Sequence, residues 1–155
     1  DRKMSKGNKD WLFNLADHIH LDVSDETQDH DTLVSRQTFG FWIKVVRYYE
    51  IEECAFKKEF LSNYSFKKYY AKNTEKTNKE YLFSWQIASM ILQLTKNIRN
   101  RAFHLENLLK LQQNGLPRLS AKVDFKNNIF AIKRISPNKL VEFLDDILNG
   151  FGIKM

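Results

Sequence analysis

The chain has 155 residues, 43% hydrophobic and 14% aromatic, with 25 Lys and Arg against 19 Asp and Glu; it is long enough to bury a core and too apolar for a disordered segment. Five Gly and two Pro are few for a turn-rich all-β protein, and a single cysteine, Cys54, excludes an internal disulfide. No run has the length of a membrane span and no apolar signal core opens the chain, so it reads as a cytoplasmic domain with no membrane partner.

The chain begins at Asp1 rather than Met, which fits the C-terminal part of a longer protein. Trp11, Leu12, Leu15 and Ile19 recur at helical spacing and predict a short amphipathic helix over Lys9–Ile19, followed by an acidic loop from Asp22 to Asp31. A strongly apolar helix opens at Thr38 and runs to about Tyr49, with Phe41, Trp42, Val45 and Val46 as its buried face. Ile51–Phe60 and Tyr64–Tyr70 read as two shorter helices, the second capped by Ser62 or Asn63. The basic, polar stretch Lys72–Lys79 is a connection.

The longest helix is expected from about Tyr81 to Lys96. Phe83, Ile87, Met90, Ile91 and Leu94 form its main stripe, and Leu82, Trp85 and Leu92 cover much of the rest. A bend near Asn97 leads into a helix from Asn100 to Gln113, ended by Gly115 and Pro117. Lys122–Phe125 and Ile129–Ile132 alternate about the turn-like Lys126-Asn127-Asn128 and predict a small hairpin. Ser136-Pro137 opens a last helix with Leu140, Val141, Leu144 and Leu148 on its apolar face and Gly150 at its end. The expected fold is mainly α with a small C-terminal β-hairpin and terminal helix. It forms a single domain over 1–155: an N-terminal helix and acidic loop (1–32), a core (33–119), and the hairpin with the last helix (120–155).

Two segments are rich in chemistry-bearing residues. The first holds Asp17, His18, His20, Asp22, Asp29 and His30, but His18 and His20 at i, i+2 diverge on a helix and no further ligand closes a set, so a solvated acidic surface is expected and no metal or cofactor. A glycine-rich phosphate loop, a Gly-x-Ser-x-Gly elbow and a paired-carboxylate pattern are all missing, and Cys54, beside Ala55 and Phe56, reads as core. The second segment is basic. Lys96 to Arg134 contains nine Lys and Arg and only two acids, Glu106 and Asp124, a local excess that suits a polyanion such as RNA.

Within it, Arg99, Asn100 and His104 fall at the expected junction of two helices, where free N–H groups and the positive dipole end favour phosphate. Arg99 is a permanent cation with a phosphate-matching fork, and His104 exchanges a proton near neutral pH. Lys96, Arg101, Lys110 and Arg118 are the expected RNA-binding residues around them. Cleavage of RNA by its own 2′-hydroxyl needs a base, a cation and a proton donor, and no metal. Residues five apart on a helix point about 140° from each other. Arg99 and His104 of one chain therefore meet only if Arg99 precedes the helix; otherwise two chains must join their sites. Arg101, at i, i+3 from His104, is the competing cation.

Arg99-Asn100-Arg101-Ala102-Phe103-His104 resembles the Arg-x4–6-His motif of HEPN ribonucleases, including a polar residue after the Arg. The string Ile98–Leu109, with Glu106 two residues beyond the His, resembles the Arg-Asn-x-x-Ala-His-His-Glu-Arg-Leu string of the abortive-infection (Abi-like) proteins. Thr38-Phe39-Gly40-Phe41-Trp42 resembles their Phe-Gly-x-Trp segment, so the likeness extends from Leu33 to about Leu119. Phe103 stands where Ala is usual, and Leu105 replaces the second His and removes a possible proton carrier. The resemblance implies an up-and-down helical bundle, a homodimer, and a metal-independent RNA-cleaving site at the dimer cleft. In that site Arg99 and His104 are catalytic and Asn100 is supporting. It implies a toxin or phage-defence effector, with an antitoxin or regulatory partner. Some HEPN domains are non-catalytic, so an RNA-binding, sensor or dimerisation module is the alternative.

Overall fold

The computed structural model describes residues 37–73, 76–77, 80–124 and 130–153. The expected helix at Lys9–Ile19, the acidic loop and His18, His20 and His30 lie outside the described residues. The chain divides into two units between Tyr48 and Tyr49.

In the first unit, helix α1 spans Phe39–Tyr48. Thr38 starts it by accepting the Phe41 N–H on its hydroxyl at 3.1 Å, the side-chain cap that satisfies an otherwise orphaned donor. Ile43 is its buried residue, while Trp42 is exposed and stands edge-on to Phe41. A helix apolar on most sides does not reveal which face is covered, and the expected face missed Ile43.

The second unit begins with short pieces where two helices were expected. A 3-10 turn (Glu52–Ala55), helix α2 (Lys58–Ser62) and a second 3-10 turn (Phe66–Lys68) succeed one another. Such pieces have few internal hydrogen bonds, and burial of Phe56, Leu61, Phe66 and Tyr69 anchors them instead. Ser65 precedes the second turn without a side-chain cap. Ser62 and Asn63 donate back to the Glu59 carbonyl, which closes α2 rather than opening the second turn. Cys54, expected in the core, is exposed. The connection 72–79 includes part of a two-residue ladder between β1 (Lys76–Thr77) and β2 (Glu80–Tyr81).

Helix α3 runs unbroken from Ser84 to Phe103. Gln86 secures its start by accepting the Phe83 N–H at 2.9 Å. From Ala88 to Leu92 every residue is buried, as expected of a helix central to its unit. The bend expected at Asn97 does not occur. Asn97 donates its amide to the Ser120 carbonyl at 3.0 Å, and Ile98 continues the buried stripe after Leu94, so the helix has both a polar and an apolar reason to continue.

The hairpin is longer than expected. β3 (Leu119–Asp124) and β4 (Phe130–Ile135) pair antiparallel, with Leu119 opposite Ile135, Ala121 opposite Lys133 and Val123 opposite Ala131. All six of these face inward and are buried, Lys133 included, and β3 packs on α3. Asn73 joins this sheet to the 3-10 turns through three hydrogen bonds, donating to the Phe66 and Arg134 carbonyls and accepting the Arg134 N–H.

Ser136 and Pro137 open a 3-10 turn (Pro137–Lys139) that passes into helix α4 (Leu140–Phe151). Its buried face is Leu140, Phe143, Ile147 and Gly150, not the expected Leu140, Val141, Leu144 and Leu148; Val141 is exposed. Gly150 lies inside the helix, where a side chain would collide with the Phe60 ring, and Gly152 ends it at φ +82°. Phe143 meets Tyr69 edge-on, and the Tyr69 hydroxyl donates to Asp146. Burial, then the Asp146 carboxylate, pushes the Tyr69 phenol well above its ordinary value, and burial together with Tyr69 does the same for Tyr64. Beside them Lys139 and Lys68 hold the Glu142 carboxyl below its usual range.

Candidate nucleic-acid interface

Because α3 does not break, the basic motif occupies its last turns rather than the start of a new helix. Arg99, Asn100 and Arg101 are helical, and His104 is the residue just past the end. The expected phosphate cradle of free N–H groups is therefore not formed here. The backbone presents its carbonyl end, which favours cations, and Arg101 in the last turn complements it. The helix stops at Phe103 for local reasons. Leu105 enters the left-handed region at φ +54°, and the Asn107 side chain accepts the Leu109 N–H at 2.9 Å, a bond that competes with helical pairing.

The end is closed by a paired set of backbone bonds: Leu105 N–H to the Ala102 carbonyl at 3.1 Å and Glu106 N–H to the Arg101 carbonyl at 2.8 Å. Left-handed geometry is unfavourable for Leu. Little burial compensates it, since Leu105 is 93% exposed.

The motif residues assemble in two groups. In the first, the Arg99 guanidinium lies 5.0 Å from the centre of the Phe103 ring, and the His104 ring meets the same ring edge-on at 5.5 Å. Asn100 steadies the guanidinium by accepting from Arg99 Nη1 at 3.2 Å. Arg99, Phe103 and His104 are all exposed, Phe103 to 70%. Arg99 and His104 thus share a neighbour within one chain although the helix would send them apart. The link is Phe103, which the sequence showed only as a departure from the family string.

In the second group, Arg101 Nη1 and Arg118 Nη2 approach the same Glu106 oxygen at 3.3 and 3.6 Å. Nothing local signals that Arg118, just before β3, returns to the end of α3. Lys96 is half-buried on α3 and Lys110 is exposed in the irregular segment after it; neither makes an ion pair among the described residues. Among the described residues, no group of three His, Cys, Asp or Glu could hold a metal ion, and no helix is long and apolar enough to cross a membrane. A cavity of about 240 Å³ lined by Ser62, Tyr64, Phe66, Tyr81, Leu82 and Ile87 contains none of the motif residues. The candidate interface is an open basic surface.

No family model, curated protein or solved structure matches the chain. Its motif residues and their geometry alone carry the functional reading.

Proposed function

We propose that this domain binds RNA along the face carrying Lys96, Arg101, Lys110 and Arg118 and cleaves it at Arg99 and His104, in the manner of the HEPN ribonucleases that its motif resembles. The observation that supports this is the exposed Arg99–Phe103–His104 edge, where a permanent cation and a proton carrier meet on one uncovered ring. In the proposed step His104 takes the 2′-hydroxyl proton and the 2′-oxygen attacks the adjacent phosphorus. Arg99 stabilises the charge that develops on the phosphoryl oxygens. The bond from phosphorus to the 5′-oxygen breaks, and the leaving oxygen takes a proton from His104 of a second copy. The products are a 2′,3′-cyclic phosphate and a 5′-hydroxyl. Leu105 in place of a second His makes the second copy the natural source of that proton, which fits a homodimeric bundle acting as a toxin or phage-defence effector under an antitoxin or regulatory partner.

A second reading, a non-catalytic RNA-binding or sensor module, draws support from the carbonyl end of α3 beneath the motif, which adds no anion-binding N–H groups. Labelled RNA incubated with the pure chain in excess chelator separates the two. Fragments with 2′,3′-cyclic ends support the nuclease, whereas salt-sensitive binding without fragments supports the module. Mixing wild type with excess His104→Ala protein then tests the shared site: because the step takes one His104 from each copy, a loss of activity beyond dilution is expected, and a monomer that cleaves RNA contradicts it.

A further inference from the structure

Two permanent cations converge on a single carboxylate oxygen at the edge of the basic face. Arg101 comes from the last turn of α3 and Arg118 from the residue before β3, with the irregular segment 104–117 between them. Glu106 is fixed at its backbone by donating to the Arg101 carbonyl, but its carboxylate is solvent-exposed and free to leave. At 3.3 and 3.6 Å the contacts are longer than the short, parallel bonds with which a guanidinium grips a carboxylate of its own. Two guanidiniums against one carboxylate leave one positive charge uncompensated. A tetrahedral phosphate has more oxygens to offer two forks than a single shared carboxylate oxygen.

We propose that Arg101 and Arg118 form a phosphate site in which the Glu106 carboxylate occupies the position of an RNA backbone phosphate. RNA displaces it: the phosphate takes both guanidiniums and the carboxylate turns to solvent. Glu106 thereby holds the two arginines ready while lowering affinity for anything less charged than a nucleic acid. This inference rests on the RNA-binding reading above and extends it to a residue of opposite charge.

The test compares wild type with Glu106→Gln, using a labelled 2′-O-methyl oligouridine that cannot be cleaved through its 2′ position, and inorganic phosphate as a separate ligand. Gln keeps the backbone bond and removes the competing charge, so the oligonucleotide is expected to bind more tightly, on the order of fivefold, given two exposed ion pairs removed. The slope of log affinity against log salt should steepen by about one. Equal or weaker binding by a folded Glu106→Gln protein overturns the proposal and makes the trio a fold staple. Wild type supplies an arm that needs no variant to fold. The Arg101 and Arg118 Nε–Hε resonances should both shift when the oligonucleotide binds; binding with neither moving overturns the site while leaving the RNA reading intact. If neither protein binds the oligonucleotide, both ideas fail. If inorganic phosphate alone moves the two resonances, the site takes free phosphate and the RNA assignment is wrong.

Discussion

Helices α3 and α4 end in the same hydrogen-bond pattern but not on the same kind of residue. At the end of α4, Gly152 donates to the Asn149 carbonyl and Ile153 to Leu148; at the end of α3, Leu105 donates to Ala102 and Glu106 to Arg101. Gly152 takes the left-handed position at no steric cost, and its α4 end lies against Lys57. Leu105 takes the same position at a cost of about 1 kcal/mol, on an end where Phe103, His104 and Leu105 are all exposed. One helix end is built for stability and the other carries strain and uncovered aromatic and cationic groups. Strain gathers at functional sites when the surrounding structure can hold it. The buried middle of α3, from Ala88 to Leu92 with Leu94 and Ile98, anchors the helix behind that end.

Two phenylalanines put that contrast to its hardest test. Phe143 has no exposed surface and packs on Tyr69, so Phe143→Ala should cost about 3–5 kcal/mol of unfolding free energy in a denaturant titration. Phe103, 70% exposed, should cost under ~0.5 kcal/mol when changed to Ala. Similar costs at the two sites would dissolve the distinction. Next in size is Asn73→Ala, which strands the Arg134 N–H and takes a donor from the Arg134 and Phe66 carbonyls, the latter keeping the Tyr69 and Tyr70 N–H groups; about 2–3 kcal/mol is expected by the same titration.

Alkaline pH should weaken the buried half alone. Tyr64 and Tyr69 are held neutral in the folded chain, with values above the ordinary 10.0 of the unfolded chain. Their contribution is fully present below pH 10 and is lost as pH rises toward the folded values, because the unfolded chain releases those protons first. Each phenol should lower stability by about 1.4 kcal/mol per pH unit in that window, and Tyr69→Phe should remove its share. A flat profile above pH 10 would show that the two phenols are not buried as described. The smallest effect is expected at the exposed end, where Leu105→Gly should raise stability by up to about 0.5 kcal/mol through relief of the left-handed strain, less the added freedom of the unfolded chain. A loss instead would mean that the Leu105 side chain makes a contact worth more than its strain.

Much of the fold was legible because its signals are local. The two-residue alternation around Lys126-Asn127-Asn128 announced the hairpin, and the apolar run from Ile87 to Leu94 announced the central helix. The features that escaped were set by partners distant in sequence. Asn97 reads as a break until the Ser120 carbonyl is there to receive its amide. One exception is local: the helix expected from Asn100 to Gln113 ends at Phe103, where Leu105 and Leu109 are exposed and Asn107 turns the chain. The face of α4 shifted because Phe143 and Ile147, not Leu144 and Leu148, meet the core. At the candidate site Arg99 and His104 were visible as a motif. The ring that joins them and the return of Arg118 to Glu106 were visible only in three dimensions.

The nuclease proposal is met most directly by measuring RNA cleavage and thermal unfolding side by side for wild type and His104→Ala. His104 is exposed, and its aromatic contact is with the equally exposed Phe103, so the midpoint of unfolding should stay where it is while the cleavage rate falls about 10²–10⁴-fold, the range for losing a general acid or base. Equal cleavage by the two proteins, with equal unfolding midpoints, would contradict a catalytic His104.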